Sequence, residues 1–264
     1  MCASNNSKKN IFYFGNKKSD GNGAMKEILG GKGAGLAEMT EIGINVPPGF
    51  TISTRVCDMF YKNKKQTPKV INTEMKSNLT KLEKMTKKGF GDPKNPLLVS
   101  VRSGAMFSMP GMMDTILNLG LNDKTVAGLS KRTNNPRFAW DAYRRFIQMF
   151  SGVVLNVDKN LFEDLLEDLK KKKKVNHDVD LNEAALKSLV QDYKKLVKSK
   201  TKREFPQNPL DQLVKAVDAV FLSWNNKRAI FYRKKYNISA DIGTAVTVQS
   251  MVFGNMGNDC ATGV

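Results

Sequence analysis

The chain has 264 residues, 41% hydrophobic and 8% aromatic, enough for one large domain or two small ones at about 150 residues each and too apolar for wholesale disorder. With 43 Lys and Arg against 25 Asp and Glu, its net charge of +18 at pH 7 favours phosphate-bearing or otherwise acidic partners without naming one. No apolar run reaches the roughly 18 residues of a bilayer span. The dispersed Cys2, Cys57 and Cys260 argue against a disulfide framework or zinc site, and the single histidine, His177, argues against His-dyad metal sites and Ser/His/Asp triads.

The opening MCASNNSKKN is polar and lacks the apolar stretch of a secretory signal, so a reducing, cytoplasmic setting is the expectation. Ile11 to Gly15 reads as a short strand. The glycine-dense stretch Gly30 to Gly35 is expected to be a loop feeding a helix that begins near Leu36, with Gly43 as its C-terminal cap and Pro47-Pro48 as a stop. Phe50 to Ile52 is extended, and Ser53 or Thr54 suits the cap of a helix around 56 to 61. The lysine-rich 62 to 96 carries a helical period at Met75, Leu79, Leu82 and Met85, and a strand at 97 to 101 ends on Arg102.

A Gly, Ser and Met loop at 103 to 115 precedes the apolar run 116 to 121. From 122 to about 209 the pattern is helical, with faces at Phe138/Ala142/Phe146/Phe150, Leu161/Leu165/Leu169 and Leu186/Leu189/Tyr193/Leu196. The run Lys170 to Lys174 reads as a solvated helix end, and His177 beyond it as solvated. One long helix is expected from 209 to 236 and a strand from 244 to 253. The last residues resemble a hairpin turn opening a new strand, which suggests a truncated chain.

GGKGAG before a helix is not a P-loop, because Gly33 rather than Ser or Thr follows Lys32, and it does not match G-x-G-x-x-G. Phosphate binding through Lys32 and a plain glycine-rich helix entry both account for it. Arg102, at the end of an apolar strand beside a flexible loop, points to an anionic ligand more than to a structural ion pair. From spacing alone, Asp114-Thr115 is first an Asx-type turn, the methionines at 106, 109, 112 and 113 are pliable packing, and Gln249 to Val252 is a core strand before it is a base-recognition strand.

Four ordered blocks carry a resemblance: GNGAMKEILGGKGAGLAEM at 21 to 39, INVPPGFTIST at 44 to 54, LLVSVRSGAMFSMPGMMDTILNLGLND at 97 to 123, and GTAVTVQSMVFGNMG at 243 to 257. Together they resemble the N-terminal region of the pyruvate, phosphate dikinase family. The related phosphoenolpyruvate synthases are similar in the first two blocks but differ in the loop after Val-Arg-Ser.

The resemblance implies an α+β, ATP-grasp-like nucleotide-binding domain. Its first subdomain would take 1–121 plus 209–242, a helical insert 122–208, and a largely missing second subdomain would start at 243–264. It implies ATP/AMP and Mg2+ as ligands, with Lys32 and Arg102 on the triphosphate, Gly111, Met112, Met113, Asp114 and Thr115 in a phosphate-covering loop, and Gln249, Met251 and Val252 on the adenine side. It thereby reverses the order of readings for Asp114 and Met251. The implied reaction converts ATP, phosphate and pyruvate reversibly to AMP, pyrophosphate and phosphoenolpyruvate through a phosphohistidine carried on a swivelling domain.

Metal ligands, that histidine and the pyruvate barrel would lie beyond residue 264, so this chain alone is expected not to turn over. The parent would be a homo-oligomer, with neither nucleic acid nor membrane as partner. A C-terminal organellar address would lie outside this sequence. Two rival readings stand beside it: a phosphoenolpyruvate synthase-like enzyme, which would use water where the dikinase uses phosphate, and a basic nucleic-acid-binding module, which rests on the +18 charge alone.

Overall fold

The computed structural model describes residues 9–257 and 259–263. The protein is of the mixed α+β kind and divides into two compact units. Within the described residues, the first takes 9–87, 99–115 and 214–250, and the second takes 88–98, 116–213, 251–257 and 259–263. No described helix is long and apolar enough to cross a membrane.

In chain order the first unit contributes β1 (Ile11–Gly15), β2 (Lys18–Ser19), α1 (Lys26–Glu41), β3 (Gly49–Ile52), α2 (Thr54–Lys62), α3 (Lys69–Thr86) and β4 (Val99–Gly104). β5 (Thr115–Leu119) leads into the second unit, which holds α4 (Thr125–Thr133), α5 (Pro136–Val153), α6 (Asn160–Lys173) and α7 (Glu183–Thr201). α8 (Pro209–Ser223) leads back to α9 (Lys227–Lys235) and β6 (Ala245–Ser250).

The strands of the first unit pair antiparallel in the order β2-β1-β3-β6-β4. Alternation along a strand puts residues i and i+2 on one face. Phe12 faces Thr51, Thr51 faces Thr247 and Thr247 faces Arg102, so these form one row across the sheet, with Gln249 on the same side. The opposite side carries the buried row Phe50, Val248 and Val101. α1 lies over the first row: a Cβ at Gly33 would stand 2.9 Å from Thr51 Cγ2, and Phe12, Leu29, Ala34 and Ala37 form a buried cluster. Phe60 of α2 meets Phe221 of α8 at 5.4 Å between ring centroids. Full burial of each such ring contributes about 1.5–3 kcal/mol.

Several elements differ from the sequence reading. The glycine-dense stretch lies inside α1 instead of ahead of it, and only Gly30 breaks the helix, with φ 66° and ψ 168°. The contact responsible is with β4: a Cβ at Gly30 would fall 1.6 Å from the carbonyl oxygen of Gly104, and the Gly31 amide donates to Ala105 O at 2.9 Å. β4 extends to Gly104, so Arg102 sits within the strand rather than at its end.

The expected helix over 209 to 236 is two helices. Asn226 breaks it by capping α9, its side chain accepting the Ala229 amide at 2.8 Å. β6 ends at Ser250, which leaves Met251 and Val252 outside it, and no strand follows among the described residues. β6 lies between β3 and β4, and the second subdomain expected from Gly243 would start just ahead of this strand.

The second unit is mainly helical. Asn135 caps α5 by accepting the Phe138 amide at 3.0 Å, with Pro136 in the first turn where its missing N–H costs nothing. Asn182 caps α7 in the same way through Ala185. Phe205 packs edge-on to Tyr143, Phe146 and Phe150 at 5.6–6.4 Å. In α6 the buried residues are Phe162 and Leu166, one position along from the leucine face read from periodicity, and Phe162 meets Tyr193 at 4.9 Å. Lys170 to Lys173 occupy the last turn of α6, where cations suit the helix dipole.

Candidate functional site

Two cavities of the first unit share Gly31 and Lys32. The larger, about 640 Å³, is bounded by Lys26, Lys32, Ser108, Gly111, Met113 and Thr115 among others. The smaller, about 320 Å³, lies between α1 and the sheet and is lined by Lys32, Leu36, Met39, Arg102, Thr247 and Gln249. Strand alternation explains the second set, since Arg102, Thr247 and Gln249 belong to the face under α1. Lys32, two residues past the Gly30 break, lines both cavities.

The Lys32 ammonium donates to Ser103 O at 3.0 Å. Although the side chain is open to solvent along one side, burial of its end, and next the neighbouring Arg102 charge, lower its pKa. Burial also lowers the pKa of Arg102. Arg102 Nη2 donates to Gln249 Oε1, while Gln249 Nε2 donates to Pro47 O at 2.9 Å. Two cations disfavoured by burial and, for Lys32, by each other are stabilised by an anion placed between them. The Gly31 amide is already bonded to Ala105, so charge attraction here rests on the side chains.

The loop after β4 forms one wall of the larger cavity. Gly111 holds φ 70° with nothing within 4 Å of where a Cβ would project. Met109 packs with Ala105, Trp224 and Ala229, and Met112 and Met113 lie against this cluster. Asp114 does not line the cavity: its amide donates to Ser223 Oγ and its carboxylate pairs with Arg228, both at 3.2 Å. Burial raises the Asp114 pKa, with Arg228 opposing. Among the described residues no group of three or more His, Cys, Asp or Glu could hold a metal ion. The donor set of this site is cationic, so the residues present do not fit Mg2+.

Lys32, Arg102, Gly111 to Thr115 and Gln249 thus all fall within the first unit. Met251 and Val252 fall in the second, beside a cavity of about 200 Å³ that Phe138, Arg145 and Phe253 also line, and Val252 is 72% exposed. His177 is exposed at the start of a short 3-10 turn.

The chain matches the family described as pyruvate phosphate dikinase, AMP/ATP-binding domain, over residues 26–88 and 63–264. The chain belongs to this family. It is 53% identical over 249 residues to pyruvate, phosphate dikinase of Clostridium symbiosum, covering 94% of this chain and 28% of that protein. The Entamoeba histolytica enzyme of that name is 53% identical over 247 residues, covering 93% of this chain and 28% of its own length. A chloroplastic pyruvate, phosphate dikinase of Flaveria trinervia is 51% identical over 257 residues, covering 97% of this chain and 27% of the relative. The chain therefore spans little more than a quarter of the length of these relatives.

Within this AMP/ATP-binding domain, sequence reasoning missed Thr247, although its spacing of two from Gln249 in TAVTVQ places both on one face. It also missed Ser223, Asn226 and Arg228, which hold the loop. No short-range pattern links them to Met112 and Asp114, more than 100 residues earlier, so only the fold brings them together.

Proposed function

We propose that this chain is the ATP-binding part of a pyruvate, phosphate dikinase, with an ATP-grasp-like fold, a helical insert at 122–208 and a second subdomain beginning near 243. Lys32 and Arg102 hold the triphosphate, and the Gly111 to Thr115 loop covers it. Gln249 serves the adenine side. The observation that carries the reading is the convergence of two charge-frustrated cations, Lys32 and Arg102, on adjoining cavities walled by a glycine- and methionine-rich loop. Positive charge fixed there would offset the charge that develops on a transferring phosphoryl group.

The full reaction makes AMP, pyrophosphate and phosphoenolpyruvate from ATP, phosphate and pyruvate. It would need a phosphocarrier histidine and a pyruvate site that this chain does not supply. Mg2+ would likewise draw its protein ligands from elsewhere. Calorimetric titration with MgATP, repeated on Lys32→Ala and Arg102→Ala and with a short DNA duplex, tests the reading. Saturable ATP binding weakened by either substitution supports it. Salt-sensitive DNA binding indifferent to both, without ATP binding, would replace it with a general polyanion-binding role.

A further inference from the structure

The loop that walls the larger cavity is held from behind by the junction between α8 and α9. Ser223 Oγ accepts the Asp114 amide at 3.2 Å, Asn226 Nδ2 donates to Met112 O at 2.9 Å, Arg228 Nη2 donates to Asp114 Oδ1 at 3.2 Å, and Tyr232 OH donates to Ser108 O at 3.4 Å. The junction is itself braced. Buried Arg233 lies over the Trp224 ring at 4.0 Å, donates to Trp224 O and bonds Asn225 Oδ1 at 3.1 Å. Trp224 Nε1 in turn donates to Ala240 O at 3.0 Å.

Asn226 occupies the pivotal position. Its Oδ1 must face the Ala229 amide to cap α9, which leaves its NH2 group to face the loop carbonyl. One side chain therefore both starts the helix and fixes Met112.

Building on the ATP-binding reading above, we infer that Asn226 and the Asp114–Arg228 pair are positioning residues, setting the loop over the phosphate cavity, and that Asp114 acts through Arg228 rather than on the nucleotide. The loop needs such restraint because Gly111 leaves its backbone unusually free, and its methionines are flexible fillers that specify position weakly. A loop held in its covering position spares bound nucleotide the entropy of ordering it.

The test separates the anchor from helix capping. Asn226→Asp keeps the cap acceptor and removes the donor to Met112. Hydrogen exchange of residues 105–115 and ATP affinity are measured on this chain for Asn226→Asp, Asp114→Asn, Arg228→Met, Arg228→Lys and the Asp114→Asn/Arg228→Met double variant, with the thermal midpoint as a control. Asn226→Asp is expected to speed exchange in the loop and weaken ATP about threefold to tenfold, the range of one lost hydrogen bond at tenfold per 1.4 kcal/mol, with the midpoint little changed.

Asp114→Asn and Arg228→Met are expected to weaken ATP equally and without additivity, and Arg228→Lys to restore part of the affinity. Unchanged loop exchange in Asn226→Asp overturns the anchor. Faster exchange with unchanged affinity overturns its positioning role. A loss in Asp114→Asn that Arg228→Met does not share makes Asp114 a direct ligand contact. If the unsubstituted chain ignores ATP, the ATP-binding reading fails, while exchange still decides whether the anchor exists.

Discussion

Arg102 on β4 donates to Gln249 on the neighbouring strand β6, and the Gln249 amide is held in turn by Pro47 O. The guanidinium is thereby aimed under α1 by two strands that meet only in the folded sheet. Gln249→Leu removes the acceptor and leaves a half-buried cation without it. Hydrogen bonds to charged groups are worth about 1.5–3 kcal/mol, so the variant is expected to bind ATP at least about tenfold more weakly. Calorimetry on the variant checks this, and undiminished affinity would show that Arg102 needs no such orientation.

The glycines of α1 are expected to divide sharply. Gly30→Ala forces a side chain into the left-handed region and onto the Gly104 carbonyl, and should lower the unfolding free energy by more than about 2 kcal/mol. Gly35, five residues on, has nothing within 4 Å of its would-be Cβ. Gly35→Ala should raise stability by about 0.5–1 kcal/mol, the usual gain from removing a helix-interior glycine. Urea unfolding of both variants measures the contrast; equal effects would contradict the packing of α1 on β4.

Lys32 carries a pH signature. Its pKa is lowered in the folded chain, so the unfolded state binds more protons between that value and 10.5, and Lys32 makes folding stability rise with pH across this window. A bound phosphate acts oppositely by favouring the ammonium. ATP affinity should therefore fall as pH rises through the lowered pKa, and binding there should take up a proton. Titrations in alkaline buffers of different ionisation enthalpy detect the uptake, which Lys32→Arg should abolish.

Burial pushes the Cys57 thiol up to about 11 from 9.0. The stability this contributes is fully present below 9.0 and is lost as pH rises toward 11. A neutral thiol reagent followed by peptide mapping should modify the more accessible Cys260 in the native chain and reach Cys57 only on unfolding. Labelling of Cys57 at the rate of Cys260 would refute the packing around it.

Much of the architecture can be read locally. Strand β1, the burial of Phe138, Phe146 and Phe150, and the exposure of Lys171 to Lys174 each follow from periodicity or charge, whereas Lys170, expected to be solvated with them, is largely covered and paired with Glu167 and Asp178. Lys32 and Arg102 also stood out, because a glycine-flanked lysine and an arginine amid valines are unusual choices. What stayed hidden depends on contacts distant in sequence. Gly30 rather than Leu36 marks the helix break because Gly104 touches it. Asn226 splits one apolar periodicity into two helices because its side chain satisfies a cap and a loop together.

The place of β6 bears on how the molecule is made. During synthesis β3 and β4 emerge first, and each must await a middle partner that arrives more than 140 residues after β4 begins. Until then both present unpaired backbone edges, the kind of surface that recruits other nascent chains. The helices between residues 125 and 201, whose contacts are local, can meanwhile settle. Assembly of the first unit's sheet is thus expected to be the slow, chaperone-sensitive stage on the ribosome, and the cavity beside Arg102 to come into being only at its end.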